Sequence, residues 1–346
     1  MRVYDFLHSW GKILRGKTPV LSIEITRECP LSCPGCYAYG ESHLGGETRL
    51  RDLVDFRGDE LVDGILNLAD RHDPVHVSLV GGEPMMRHRE LSRVLPALNA
   101  RGVLTMVVTS GVIPIPAEWS SLPMVTIAVS VDGLPREHDE RRKPATYERI
   151  LRNIDGRKVN VHCTVVRQHL AREGYLDDFL AFWSARPEVN RIWFSVYTPQ
   201  RGEKSPERLR SEDRMRFAAL ADELSRRHPK LMLPQGMSQA VVRPPESPQD
   251  CIFARMSANY TADLHTRVEP CVFGGDPDCS ECGCSISTAL HWIGGRKVAG
   301  VRVRSLVRGS MAIGRAVSHL NGGAAKPERW MHAPTGLVQI KRSGRP

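Results

Sequence analysis

The sequence predicts an α/β fold in which helices cover a parallel β-sheet, followed by a small cysteine-rich segment and a basic helical tail. Six short, mainly apolar runs alternate with helical patterns between residues 21 and about 197. This alternation is typical of parallel strands joined by helical crossovers, and nearly continuous apolar runs indicate strands covered on both faces. Five of the nine cysteines then fall within residues 251–284, and the last 56 residues contain eleven Lys or Arg.

The repeating strand–helix units set the expected topology. The predicted strands cover residues 21–25, 75–80, 103–109, 124–131, 159–166 and 191–197. The predicted helices cover residues 57–71, 85–101, 147–155, 170–183 and 213–227. Six units are fewer than the eight of a closed barrel, so the sheet is either an open, partial barrel or a doubly wound sheet. In both, functional residues gather at the carboxyl ends of the strands.

Changes in composition divide the chain into four predicted parts. They are an N-terminal helical lead-in at 1–20, a core barrel with its following helix at 21–233, a cysteine-rich segment at 234–290 and a basic tail at 291–346. Eleven cations and one acid give the tail a charge of +10, so the rest of this chain of net charge +9 sums to −1. The basic excess therefore belongs to the tail.

The sequence contains no recognisable membrane span or export signal. No run approaches the ~18 uninterrupted apolar residues that a spanning helix needs, and charged residues interrupt the first 20 positions. We therefore expect a cytoplasmic protein. Between Lys297 and Leu320 the tail has a basic amphipathic pattern. That pattern fits contact with an anionic membrane surface or a protein partner, and equally a helix packed on the barrel with its basic side in solvent.

A compact cysteine motif follows the first predicted strand. Cys29, Cys33 and Cys36 have the spacing C-x3-C-x2-C. Three thiolates can bind three irons of a [4Fe–4S] cluster and leave the fourth open to a non-protein ligand, as catalytic metal sites do. A zinc knuckle, or cysteines that are merely close, are the alternatives. Zinc sites commonly use paired C-x2-C units, which fit this spacing poorly, and the odd total of nine excludes pairing every cysteine in disulfides within one chain.

Polar residues also stand where the second and fourth strands end. Gly81 and Gly82 precede Glu83. The glycines would let the backbone approach a ligand closely, and the carboxylate would suit an ammonium group; a Gly-Gly turn with a solvated Glu is the alternative. The fourth strand continues into VSVDGLPREHDERR, residues 129–142, whose last arginines either bind a carboxylate or begin a helix that faces solvent.

These motifs, in this order, resemble the radical S-adenosylmethionine (radical SAM) superfamily over about residues 21–197. The resemblance implies a partial (β/α)6, TIM-like radical SAM barrel in which Cys29, Cys33 and Cys36 hold a [4Fe–4S] cluster whose open iron is chelated by S-adenosylmethionine. Reduction of that cluster would cleave S-adenosylmethionine to a 5′-deoxyadenosyl radical, which abstracts hydrogen from the substrate. An external electron donor such as flavodoxin or ferredoxin is also implied.

The resemblance further implies which residues bind S-adenosylmethionine. They are Gly81, Gly82, Glu83, Thr109, Ser110, Ser130, Asp132, Arg142 and Tyr37. The Gly-Gly-Glu motif would hold the methionyl amino group, and Arg142, or Arg141 one residue earlier, would bind the methionyl carboxylate. Many relatives carry an aromatic residue near the adenine just before the third cluster cysteine. Here Gly35 has that place, and Tyr37, which follows the cysteine, is the candidate.

A second group of cysteines lies in the cysteine-rich segment: Cys251, Cys271, Cys279, Cys282 and Cys284. TRVEPC, residues 266–271, resembles the second-cysteine region of SPASM or twitch extensions, which implies an auxiliary [4Fe–4S] cluster. A full SPASM domain typically has seven cysteines, so the five here suit one cluster, bound by four of them or by three with an open iron. Gly283 permits the tight turn that its two neighbouring cysteines would need to reach the same cluster; otherwise one cysteine is spare. Structural zinc is the alternative.

The predicted function is that of a radical SAM enzyme acting on an unidentified peptide, small molecule or lipid. The competing hypothesis is a non-enzymatic protein that is stabilised by zinc and binds nucleic acid or a protein partner. Such a protein would bind nucleic acid with a steep salt dependence, but it gives no reason for the motifs at successive strand ends. Cys163, alone in the fifth strand, is expected to be a small core residue.

Overall fold

The computed structural model describes residues 10–40, 43–44, 48–144 and 146–320. Its centre is a seven-stranded parallel sheet with the order β6-β5-β4-β3-β2-β1-β7. The strands are β1 Val20–Glu24, β2 His76–Val80, β3 Leu104–Thr109, β4 Val125–Ser130, β5 Val159–Val165, β6 Val189–Val196 and β7 Ser257–Tyr260. A short antiparallel hairpin pairs β8 with β9, which are Lys297–Val298 and Val301–Arg302.

The strand order identifies the sheet as a partial barrel and not as a doubly wound sheet. Strands β1 to β6 neighbour one another in chain order, whereas a doubly wound sheet reverses its order at a switch point. Among the described residues β6 and β7 do not pair, so the barrel is open. The predicted fold class is confirmed, and the six predicted strands lie within two residues of the observed ones.

The sequence does not predict β7. Its residues, SANY, include no β-branched side chain, and such residues give the usual strand signal. β7 pairs in parallel with β1, from Val20 opposite Ser257 to Ile23 opposite Tyr260. It therefore joins the cysteine-rich segment to the barrel beside the strand that leads into the first cysteine motif.

Eleven helices are described around and after the sheet. They are α1 Gly58–His72, α2 His88–Ala100, α3 Pro135–Arg141, α4 Tyr147–Ile154, α5 Arg167–Ala171, α6 Tyr175–Ala185, α7 Ser211–Arg227, α8 Gln239–Val242, α9 Ile252–Met256, α10 Ser285–Gly295 and α11 Val303–Leu320. The helix predicted at 170–183 is two helices, because Gly174 has φ +73° and separates α5 from α6. The helix predicted at 85–101 begins with a 3-10 turn at Pro84–Arg87 and continues as α2.

Side chains alternate between the two faces of the sheet. On β1, Leu21 and Ile23 pack into the main hydrophobic core, so Ser22 and Glu24 face the opposite, concave side. We call this concave side the lumen. Because parallel strands all end at the same edge, the residues that follow each strand meet at one rim of the lumen. Cys163 lies on the outer face and is buried in the core.

The last described helix packs against the N-terminal segment. In α11, Val303 and Val307 are buried beside Ile252. A Cβ on Gly314 would lie 2.0 Å from Ile13 O, so this glycine lets the two backbones touch. The packing agrees with the version of the prediction in which the tail helix rests on the body of the protein.

The remaining predictions on the two ends of the chain stay predictions. Residues 1–9 of the lead-in and 321–346 of the tail lie outside the described residues, and the proposed boundaries between the parts are not tested. Within the described residues no helix combines the length and the apolar character that crossing a membrane requires.

Candidate active site and second cysteine pocket

The loop after β1 carries the first three cysteines at the carboxyl rim of the sheet. Two backbone hydrogen bonds shape it: Ser32 N donates to Lys143 O at 2.8 Å, and Cys36 N donates to Cys33 O at 3.3 Å. The thiols of Cys29, Cys33 and Cys36 are free and partly exposed. Negative charge on the other two would raise the pKa of Cys29, so the three groups are electrostatic neighbours.

Their surroundings both oppose and favour the thiolate form. Burial raises the pKa of Cys29 to about 11, and it raises the pKa of Cys36 as well. The backbone N–H of Leu31 acts against this rise at Cys29, and the N–H of Ala38 and the charge of Arg142 do so at Cys36. Thiolates of this kind form when a metal binds and displaces the proton.

Glu83 is a buried and fully hydrogen-bonded carboxylate, so the alternative of a solvated Glu after a Gly-Gly turn is wrong. Its Oε1 accepts from Thr109 Oγ1 at 2.6 Å and from Met85 N at 3.0 Å. Its Oε2 accepts from Ser110 N at 2.8 Å and from the Ser110 hydroxyl. Thr109 ends β3 and Ser110 follows it, so Glu83 ties the ends of β2 and β3 together at the rim.

The two glycines before this carboxylate let two backbone segments touch. Gly81 has φ +90°, and a Cβ there would lie 2.6 Å from Glu24 Cα. A Cβ on Gly82 would lie 2.1 Å from Glu28 O. The end of β2 thus packs directly on the segment that leads from β1 to the first cysteine. In this structure the two glycines allow the start of the cysteine loop to pack closely against the end of β2.

Asp132, just after β4, is buried and holds two arginines. Its Oδ2 lies 2.8 Å from Arg142 Nε and also binds Arg141, whose Nε lies 2.8 Å from Glu207 Oε1. Its Oδ1 accepts from Thr164 N at 3.1 Å. Although burial opposes the charged form, Arg142 and Arg141 hold the pKa of Asp132 well below its usual range. Asp132 therefore positions the arginines at the rim.

Tyr37 lies between the two cysteine regions. Its ring makes edge contacts with His43 and Phe273, with centroids 5.5 and 5.7 Å apart. The ring is 43% exposed, and desolvation by the surrounding protein raises the pKa of its phenol. His43 Nδ1 donates to Phe273 O at 2.9 Å, and Nε2 lies 2.6 Å from Glu24 Oε1. Although burial lowers the pKa of His43, Glu24 produces a net rise.

All five cysteines of the second group line one pocket. It encloses ≈ 410 Å³, part of it open to solvent, and its lining includes Cys251, Cys271, Cys279, Cys282 and Cys284. They come from the start of α9, the loop after β7 and the loop before α10. Burial raises the pKa of Cys279 and Cys284 to about 12. Residues that are far apart in sequence thus present five thiols to one space.

Gly283 has a different role from the tight turn that the sequence suggests. Its N–H donates to Thr198 Oγ1 at 2.8 Å, and its carbonyl accepts from Val196 N at 2.9 Å. A Cβ would lie 1.9 Å from Val196 O. Cys282 (φ −56°, ψ 132°) and Cys284 (φ −58°, ψ 121°) stand on either side of this contact, and both line the pocket.

The donor groups of the two regions suit iron–sulfur clusters. Within the described ranges no three His, Cys, Asp or Glu side chains are arranged to hold a single metal ion. A [4Fe–4S] cluster separates its thiolates more widely, because each thiolate binds a different iron. The cysteines are free to act as such ligands, and at Cys36 and Cys271 backbone N–H groups favour the thiolate form.

Comparison with known proteins identifies the part of the chain that builds the first site. Residues 23–167 match the sequence model of the radical SAM superfamily. These residues form a radical SAM domain. The domain contains β2 to β5, nearly all of β1, the first cysteine loop and every strand end described above. Fe-coproporphyrin III synthase of Methanosarcina barkeri is 26% identical over 165 residues, which are 45% of this chain and 39% of that protein.

Two solved structures share the fold beyond the radical SAM domain. Streptococcus suis SuiB bound to the precursor peptide SuiA superposes with a TM-score of 0.53 at 14% identity, covering 75% of this chain and 61% of SuiB. His-tagged anSMEcpe with bound AdoMet superposes with a TM-score of 0.52 at 14% identity, covering 84% of this chain and 80% of anSMEcpe. At these identities the likeness establishes the fold. The chain spans less than two thirds of both the synthase and SuiB.

The structure brings the predicted residues of the radical SAM domain to one rim, and their roles toward the cofactor stay predictions. Two residues of this region, Glu24 and His43, are not predicted from the sequence. Side chains alternate along β1, and this alternation places Glu24 on the lumen side. The position of Glu24 could therefore have been predicted from the sequence. His43 has no such signal, because its two partners lie 19 and 230 residues away.

Proposed function

We propose that this protein is an enzyme that reductively cleaves S-adenosylmethionine at a [4Fe–4S] cluster bound by Cys29, Cys33 and Cys36. One observation carries the proposal: a radical SAM domain places three free thiols, the buried Glu83 and the arginines on Asp132 at a single rim. When bound, the cluster and S-adenosylmethionine would supply a 5′-deoxyadenosyl radical that removes hydrogen from the substrate.

The chain's own residues would bind and orient the cofactor. Arg141 is bound by two carboxylates and Arg142 by one, so Arg142 is the better candidate for the methionyl carboxylate. Glu83 fixes the rim at which the carbonyl groups of Gly81 and Gly82 would receive the methionyl ammonium group. The four donors on Glu83 make that rim rigid.

Three further residues are assigned supporting roles in the proposal. Ser130 ends β4 in the lumen, where it would contact the cofactor, and Asp132 keeps Arg142 in place. Tyr37, beside Cys36, is the candidate for the adenine. The helices and the cysteine-rich segment around the lumen would exclude water from the reacting atoms.

The direct test is formation of 5′-deoxyadenosine. Anaerobically reconstituted protein with S-adenosylmethionine and dithionite should release 5′-deoxyadenosine and methionine, measured by mass spectrometry. Cys33→Ala should reduce the yield to background. Cys163→Ala is the matched control, because that thiol is buried in the hydrophobic core and belongs to neither cysteine group. Wild-type protein that binds iron and S-adenosylmethionine but forms no 5′-deoxyadenosine would contradict the proposal.

We also propose an auxiliary [4Fe–4S] cluster in the second pocket, as in SPASM or twitch extensions. Its support is the convergence of five free thiols from separate segments on one pocket. Four of them would bind the cluster, or three with an open iron. Structural zinc is the alternative, and metal analysis separates the two, because zinc would leave the pocket colourless and without an iron signal in the reduced protein.

The substrate class is inferred from the relatives. SuiB, which shares the fold, was solved with a precursor peptide, so a peptide is the first candidate. Fe-coproporphyrin III synthase acts on a small molecule by its name, which keeps small-molecule and lipid substrates as the second class. A flavodoxin or ferredoxin would supply the electron. Anaerobic turnover with candidate substrates of each class tests this choice.

Contact of the basic tail with a membrane surface or a partner stays a prediction. Arg308 of α11 is paired with Asp250 at 2.8 Å, while Ile313 and Leu320 are exposed. Anionic vesicles that sediment the full chain, but not the chain lacking residues 291–346, would support membrane contact.

A further inference from the structure

The part of the lumen nearest the second cysteine pocket is lined by uncharged side chains. Strand register places six of them on one face of β4, β5 and β6: Ser130, Asn160, His162, Thr164, Trp193 and Ser195. Among the luminal positions of the described strands, two residues carry charge. Glu24 is paired with His43, and Arg191 lies exposed near the other end of β6. Asp132, Arg142 and Arg141 also act on His162 from the rim. They are paired with one another, and the proposed function assigns Arg142 to the cofactor, so the strands themselves offer neither a free cation nor a free carboxylate there.

Two rings stand side by side in this region. His162 of β5 and Trp193 of β6 are register partners, and their ring centroids are 5.9 Å apart. Both side chains are half-buried. His162 is also the register partner of Ser130 on β4, a residue predicted to line the cofactor site. The pair thus lies beside the place where the reaction would begin.

A hydrogen bond with Ser195 occupies one nitrogen of the His162 ring. Ser195 Oγ accepts from Ser285 N at 3.3 Å and lies 2.8 Å from His162 Nε2. When the hydroxyl donates to Nε2, the ring proton lies on Nδ1; the hydroxyl can also accept there, because it has two acceptor positions. Our inference takes the first arrangement, which the tautomer measurement below tests. Burial lowers the pKa of His162 to about 4, so the ring is neutral near pH 7.

Two ring nitrogens of this pair have no hydrogen-bond partner among the described residues: Trp193 Nε1, which is a donor, and His162 Nδ1, which is a donor in the tautomer that we infer. A carboxylate or phosphate buried there would lose its hydration without gaining a cation, which is costly. An uncharged oxygen, such as the carbonyl of an amide, would gain donors at a much smaller loss of hydration.

We propose that His162 and Trp193 are substrate-positioning residues that hold an amide carbonyl oxygen of the substrate beside the cofactor. The inference rests on the proposed function, because it places the substrate in the lumen of a radical SAM enzyme. It narrows the substrate to one that presents an uncharged amide group to this position. The indole of Trp193 adds an apolar surface for the atoms next to the carbonyl.

The test uses small probes on the holoprotein loaded with S-adenosylmethionine and kept oxidised. Saturation-transfer NMR compares N-acetylglycine N′-methylamide, which is neutral, with N-acetylglycine, which carries a carboxylate. The diamide should bind, and Trp193→Phe and His162→Phe should each weaken it about fivefold, the contribution of one neutral hydrogen bond. Trp292→Phe is the matched control, because Arg296 covers that indole and its affinity for the diamide should not change.

A second readout separates positioning from structure. In the ¹⁵N spectrum of histidine-labelled wild-type protein, the signal lost in His162→Phe should be that of an Nδ1–H tautomer. An Nε2–H tautomer would overturn the inference, as would equal binding of the diamide by wild type and both variants, or equal binding of the anionic probe. Weaker binding of S-adenosylmethionine by either variant would assign the pair to the cofactor and would also overturn it. Failure to form 5′-deoxyadenosine contradicts the proposed function alone.

Discussion

The two cysteine regions are built in opposite ways. The first group lies within residues 29–36, on one loop, and all three of its thiols are partly exposed. The second group spans residues 251–284, and three of its five thiols are buried. A site on one loop can be identified from spacing, because the chain between its ligands is short. A site assembled by packing depends on the rest of the fold.

The two regions also touch each other. Tyr37, which follows Cys36, contacts the ring of Phe273, which stands two residues after Cys271. His43 binds both Phe273 O and Glu24 at the end of β1. A substitution in one region can therefore affect iron binding in the other. Variants of each region measure how strongly the two are coupled.

The largest expected effect comes from removing one complete set of ligands. A variant with Cys29, Cys33 and Cys36 all changed to Ala should lose about four irons per chain and all formation of 5′-deoxyadenosine, while the second pocket keeps its iron. A variant with all five second-group cysteines changed to Ala should lose the iron of the second pocket and keep the iron of the first site. Iron and sulfide analysis with electron paramagnetic resonance measures both. If the first variant binds no iron at all, the auxiliary cluster does not exist.

This comparison shows how much the sequence can predict. The strands depend on local patterns, and the structure has them within two residues of their predicted positions. The cysteine loop and the motifs at the strand ends are likewise identified from local sequence, and their roles stay predictions. The requirement for glycine at position 283 could not be predicted, because Val196, whose carbonyl oxygen excludes a Cβ there, lies 87 residues earlier in the chain. β7 is not predicted because it contains no β-branched residue; it is identified by its pairing with β1.

Substitutions at a matched pair of glycines test whether each region can lose its structure and its iron independently of the other. A Cβ on Gly82 would meet Glu28 O at 2.1 Å, and one on Gly283 would meet Val196 O at 1.9 Å. Since backbone atoms cannot move aside easily, each change to Ala should lower the free energy of unfolding by about 1–3 kcal/mol. Gly82→Ala should mainly reduce iron at the first site, and Gly283→Ala iron in the pocket. Equal loss at both sites would show that the two regions assemble as one unit.

A third glycine provides the control for that pair. Gly309 lies within α11, where a Cβ would have nothing within 4 Å and φ is not positive. Gly309→Ala should raise the free energy of unfolding by about 0.5–1 kcal/mol, because alanine loses less entropy in a helix. Thermal unfolding of all three variants measures this, and iron at both sites should be unchanged. A loss of stability here would mean that α11 packs more tightly than the structure has it.

The smallest effect is expected from changing Cys279 in the second pocket. Cys279 lies beside Arg201 and Asp278, whereas Cys251 receives the Ala254 N–H at 3.4 Å. Backbone N–H groups likewise favour the thiolates of Cys271, Cys282 and Cys284. If four cysteines bind one cluster, these four are the better placed, because N–H groups compensate the charge that burial penalises. Cys279→Ser should therefore keep the pocket's iron, whereas Cys271→Ser should lose it. Loss of iron from Cys279→Ser would make Cys279 a ligand and one of the other four thiols the spare.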